Sequence, residues 1–150
     1  MRAANAPRSA RLHGDDGAAA VEFALVSFLL FTLLLGIIGF GFVLFAQQSA
    51  LHAAREGARL AAVGVNGTCK PFQDEVANRG SGANVSATTV KMTYADSNSD
   101  GKTDAGDTVT VEVPYTVDIA FLGFIGFKTF NGTQTGISRA ETVGTVTTCP

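Results

Sequence analysis

From Ala18 to Ala46 the chain is apolar at almost every position, and Glu22 is the one ionisable side chain in the stretch. Leu25, Val26, Phe28, Phe31, Leu33, Ile37, Ile38 and Phe42–Phe45 supply an apolar surface with no polar stripe. A bilayer core about 30 Å thick takes roughly 20 helical residues, and a cleavable secretory signal has an apolar region of only about 7 to 15. The run exceeds a signal and predicts a membrane-spanning helix over 18–46. Polar Gln47 and Gln48 follow, and then Ala50–Ala62 continues in helix-permissive residues with no proline. One helix is therefore expected over 18–62, roughly 65 Å long at about 1.5 Å per residue.

Beyond it the pattern changes period. Gly64-Val65-Asn66-Gly67 reads as a helix stop, and 71–78 as a short helix with Pro71 in its first turn, Gly80 just past its end, and Phe72 and Val76 facing a core. Val90, Met92 and Tyr94 alternate with polar neighbours, as do Val109, Val111, Val113, Tyr115 and Val117, so both stretches read as strands. Pro114 cannot donate a ladder hydrogen bond, which places the second strand at an edge or ends it there. Asn131-Gly132 is the signal of a tight hairpin, and 135–146 is strand-permissive. The run Ile119 to Phe127 is too short to be a second span; it fits either a sheet core or a surface patch that docks another subunit or the outer membrane leaflet. The expected fold is α+β: a long N-terminal transmembrane helix, a short helix and a small antiparallel sheet. The corresponding regions are a leader over 1–17, the helix over 18–62 and an extracytoplasmic domain over 63–150.

Charge sets the direction. Arg2, Arg8 and Arg11 precede the span, whereas its far side opens with uncharged glutamines, so the positive-inside bias puts the N-terminus in the cytoplasm and the rest outside. The net charge of -2 and pI near 5.6 leave no basic stripe for a nucleic acid. Cys69 and Cys149 fit no zinc spacing; a single disulfide is the economical reading for an exported region, with two unpaired thiols as the alternative.

The order of a short basic leader, Gly17, four small or apolar residues, Glu22, Phe23 and a long apolar helix resembles a type IV prepilin N-terminus. More narrowly, the stretch from Gly17 to Val26, then Gly39-Phe40-Gly41, then Ala53 to Ala62 resembles the TadE-like family of the tight-adherence (Flp) pilus system. Gly39 stands where members often carry a glutamate. The resemblance implies a non-enzymatic minor pilin, or pseudopilin, for surface adhesion. It would be cut after Gly17 by a prepilin peptidase and work with other pilin or pseudopilin subunits and an inner-membrane assembly platform. It also implies that Glu22, fifth in the mature chain, pairs with the new amine of Ala18 on a neighbouring subunit and sets axial register. Physics gives that pairing a reason, because a carboxylate inside the apolar edge of a membrane helix is costly without a partner. The other reading is an interfacial Glu22 that reaches headgroup water.

The segment 96–107 carries a second chemistry. Asp96, Asn98, Asp100, Lys102, Asp104 and Asp107 fall at the ligand positions of an EF-hand loop, with Lys102 offering its carbonyl and glycine at position 6. A hard cation needs about six to eight oxygens around a tight turn, so Ca2+ is the expected occupant. Asp107 is shorter than the usual closing glutamate, and strand-like flanks predict a calcium loop without an EF-hand fold. A solvated turn is the plainer reading. His13 and His52 have no nucleophile and acid arrangement beside them, so no enzyme is expected. The alternative function is a single-pass, membrane-anchored calcium-binding module unrelated to pili.

Overall fold

The structure is a computed structural model that describes residues 14–99, 103–120, 123, 126 and 128–150. Arg2, Arg8 and Arg11 of the leader, Asp100 and Lys102 of the acidic loop, and most of the apolar run 121–127 lie outside the described residues.

Helix α1 spans Gly14–Ala62, starting four residues before the expected boundary and ending where the sequence predicts. The chain divides into two compact units, one ending at Ile37 and the other running from Ile38 to Pro150. In the first, α1 exposes its apolar side chains from Val21 to Ile37 on every face. Thr32 sits among them, and its Oγ1 donates to the Phe28 carbonyl at 2.8 Å, so the hydroxyl is satisfied within the helix.

In the second unit the last four turns of α1 pack on a sheet. Helix α2 spans Cys69–Arg79, and the strands are β1 (Lys91–Ala95), β2 (Thr108–Asp118), β3 (Thr129–Arg139) and β4 (Thr148–Cys149). The sheet is antiparallel, in the order β3-β2-β1-β4. Alternation does what the sequence predicts: Met92, Val109, Val111, Val113 and Tyr115 are buried, and Phe72 and Val76 of α2 join them. The core residues that α1 buries are all small, Ala46, Ala50, Ala53, Ala54, Ala58, Ala61 and Ala62, with Leu60 packed against them half-buried. Large side chains on the sheet meet small ones on the helix, so the two backbones come close. The closest approach is at Gly136 of β3, where an added Cβ would stand 2.0 Å from the Ala54 carbonyl oxygen. Gly57 likewise leaves room for Val76, whose Cγ2 lies 2.9 Å from where a Cβ would be. Small residues along a helix can let a second helix approach closely, but here Ala50, Ala53, Ala54, Gly57 and Ala58 are covered by the protein's own domain.

The end of α1 is held by chain from far along the sequence. A helix leaves its final carbonyls without internal partners. Here the Ala62 carbonyl accepts from the amides of Glu141 (2.7 Å) and Thr142 (3.1 Å), and the Ala61 carbonyl accepts the Tyr94 hydroxyl. Cys69 and Cys149 form a disulfide with Cα atoms 5.6 Å apart, joining the start of α2 to β4.

Two local expectations need correction. Pro114 neither ends β2 nor sits on an edge strand: β2 is a central strand and runs on to Asp118. The proline is tolerated because β1 reaches only as far as Glu112, so at Pro114, opposite Thr133, the strand has β3 alone for a neighbour. Asn131-Gly132 makes no hairpin but lies inside β3. Gly132 is paired with Tyr115, whose ring would come within 2.6 Å of a Cβ there, and Asn131 Oδ1 accepts the Thr116 hydroxyl at 2.9 Å. The glycine makes space for an aromatic ring and does not turn the chain. β3 then ends at Arg139, short of the strand-permissive stretch to 146.

Candidate functional site

Gly17, Ala18 and Glu22 occupy the first turns of α1, and all three are exposed. Ala18 and Glu22 are four residues apart and so share a face. Nothing approaches the Cβ position of Gly17 within 4 Å. The Gly17–Ala18 peptide bond is helical here, so a protease that reads extended chain has first to unwind the opening turns, which are the cheapest part of any helix to fray. Around and beyond Glu22 the surface is apolar; Phe23 is 75% exposed and Leu29 69%. Side chains of this kind on all faces, unburied by the protein itself, are what a helix presents to lipid or to other helices. By length and hydropathy α1 is long and apolar enough to cross a membrane, and it fits a single-pass anchor.

Where α1 leaves the apolar stretch its charged residues divide. Arg55 and Arg59 are exposed and share a face, as their spacing predicts. Glu56 is drawn in: Arg79 of α2 reaches it at 3.1 Å and holds Glu75 at 2.8 Å. These ion pairs are partly solvated and steer packing more than they stabilise it, at about 0.2–1 kcal/mol each.

The acidic segment lies at the opposite end of the sheet from Phe42 and Phe45, in the β1–β2 connection. Pairing of Ala95 with Thr108 brings Asp96 and Asp107, the first and last positions of the expected loop, to its base. Asp107 is 1% exposed, and its two carboxylate oxygens accept the amides of Ser97 (2.8 Å) and Asp104 (2.9 Å). Asp96 Oδ1 accepts the amides of Asn98 and Ser99, an Asx turn. These bonds close the connection from the protein's own groups. Among the described residues no three of His, Cys, Asp and Glu are grouped to hold a metal ion. Asp100 and Lys102, the other two expected ligands, lie outside the described residues.

Sequence reasoning missed the residues that let backbones approach at α1 and just past its end. Gly136 and Gly144 are close-approach glycines, the second with a Cβ position 2.0 Å from the Val65 carbonyl oxygen. Isolated glycines in strand-like sequence were the available signal. The half-buried Tyr94 caps the helix end, and burial raises its pKa above the ordinary tyrosine value.

No curated protein and no solved structure matches the chain. The family model described as TadE-like protein matches residues 17–59, from the expected processing glycine almost to the end of α1. Over that segment the chain is TadE-like, which associates it with a membrane and with the tight-adherence pilus system.

Proposed function

We propose that the chain is a non-enzymatic minor pilin, or pseudopilin, of a tight-adherence pilus. A prepilin peptidase cuts after Gly17, and the new Ala18 amine pairs with Glu22 of a neighbouring subunit. The observation that carries this reading is the TadE-like match, which begins at Gly17 and takes in both Glu22 and the exposed apolar surface of α1. Two opposite charges meeting at the apolar edge offset each other's desolvation and permit one axial register. Assembly-platform proteins and other pilins are the partners in this account. Before cleavage the N-terminus faces the cytoplasm and the sheet lies outside.

Intact-mass measurement of the protein from membranes of its host tests the reading. A mature chain starting at Ala18 is expected, with Glu22→Ala inserted in the membrane but poorly assembled. A chain that retains Met1 and is never cleaved contradicts it.

The calcium reading of 96–107 is kept as a subordinate proposal, supported by the convergence of Asp96 and Asp107 at the loop base. Calcium titration of the whole chain in detergent decides it: a saturable shift in the amide signals of Ser97 and Asp104 is expected, and no shift rejects the site.

A further inference from the structure

The unit from Ile38 to Pro150 has two dissimilar ends. Strand β2 lies along α1 so that Val111 meets Gly57, while Thr116, Val117 and Asp118 share a groove with Phe42, Phe45 and Ala46. The groove, about 320 Å³, therefore sits at the end of the sheet where α1 stops being apolar, and Asp107 lies at the other end. Phe42 is 54% and Phe45 62% exposed, and their surface is continuous along α1 with Ile38 and Phe40 of the apolar stretch. The neck of the β2–β3 connection opens at this same end: the Ile119 amide donates to the Lys128 carbonyl at 2.9 Å, and Lys128 is exposed beside it. Phe130, packed on Tyr115 with ring centroids 6.4 Å apart, stays partly exposed two residues further on.

Exposed aromatic rings and an exposed lysine at one end of the sheet, at the place where an apolar helix turns polar, match the boundary between acyl chains and phosphates. Lys128 can keep its ammonium among the phosphates while its stem lies on apolar surface. We propose that this end of the sheet, marked by Phe42, Phe45, Thr116, Asp118 and Lys128, rests on the phospholipid surface of the leaflet from which α1 emerges. The domain is then held down on the bilayer, with the Asp96–Asp107 loop turned away from it. The inference rests on reading α1 as a membrane span.

The chain has no tryptophan, so single insertions report depth. Full-length Phe31→Trp, Thr129→Trp and Glu141→Trp would be placed in phosphatidylcholine–phosphatidylglycerol vesicles whose acyl chains carry bromine at shallow or deep positions. Phe31→Trp reports the span itself. Thr129→Trp, beside Lys128, is expected to lose fluorescence most to shallow bromines, and less so when Lys128→Glu is added. Glu141→Trp, on the segment that caps the far end of α1, should be unaffected. Quenching of Phe31→Trp with none at Thr129→Trp overturns the proposal and leaves the span standing; no quenching at either overturns both. Shielding of Thr129→Trp from aqueous iodide without quenching by bromolipid assigns the surface to a protein partner and also overturns it.

Discussion

Two stretches of the same helix solve different problems. Between Val21 and Ile38, α1 carries large apolar side chains that are mostly exposed; between Ala46 and Ala62 it carries alanines that are almost wholly buried. A soluble core helix would do the reverse of the first, hiding its leucines and phenylalanines. The second shows that burial does not require bulk on the helix when the sheet supplies valine, methionine and tyrosine. Side-chain size along one continuous helix therefore follows the cover the chain itself provides: small where a backbone comes close, large where the rest of the chain leaves the helix exposed.

The sharpest way to break this contrast is at the closest backbone contact. Gly136→Val would drive a side chain into the Ala54 carbonyl, where neither backbone can yield, and should cost more than about 3 kcal/mol, the upper range for overpacking. Loss of cooperative thermal unfolding would show it. Ala53→Leu, on the helix side of the same core, should cost about 1–3 kcal/mol, while Ala24→Leu in the exposed stretch should leave the melting temperature unchanged. Equal effects at Ala24 and Ala53 would erase the distinction. The disulfide belongs to the packed unit alone. Replacing Cys69 and Cys149 with alanine should lower stability by about 4 kcal/mol on the chain-entropy treatment, with no change in membrane insertion.

The smallest effect is one of pH. Burial raises the Tyr94 pKa in the folded protein, so the folded state holds its proton where the unfolded chain has begun to lose it. The stabilisation is fully present below the ordinary tyrosine pKa of about 10 and declines as pH rises through the higher folded value. Tyr94→Phe removes that alkaline decline and also the cap on Ala61, which comparison of pH-dependent melting curves separates.

The sequence was most legible where one period dominates. The unbroken apolar run, the alternation in β2 and the pairing of the two cysteines each follow from a rule that needs no knowledge of neighbours. It was least legible where tertiary contact overrides a local signal. Asn131-Gly132 looks like a turn, yet the glycine is required by the Tyr115 ring across the ladder. Pro114 looks like a strand end, yet the early stop of β1 removes the demand for its missing donor on that side. The role of the alanines of α1 was invisible for the same cause, since small residues in a helix look alike whether they face a second helix or the protein's own sheet. At the candidate site, Gly17, Ala18 and Glu22 were readable because they form one short linear stretch, which the structure keeps together on the opening turns of α1. The capping of α1 by residues 141–142 is a contact between segments about 80 residues apart, and no local pattern announces it.

The measurement that bears most directly on the two-part helix is a spin-label scan of α1 in phospholipid bilayers, reading oxygen accessibility at single positions from Val26 to Ala62. High accessibility on every face as far as Ile38, giving way after Ala46 to a 3.6-residue alternation with minima at Ala50, Ala54, Ala58 and Ala61, is the predicted result. The same alternation already present between Val26 and Ile37, or low oxygen accessibility there with ready access to a water-soluble relaxant, would contradict the account.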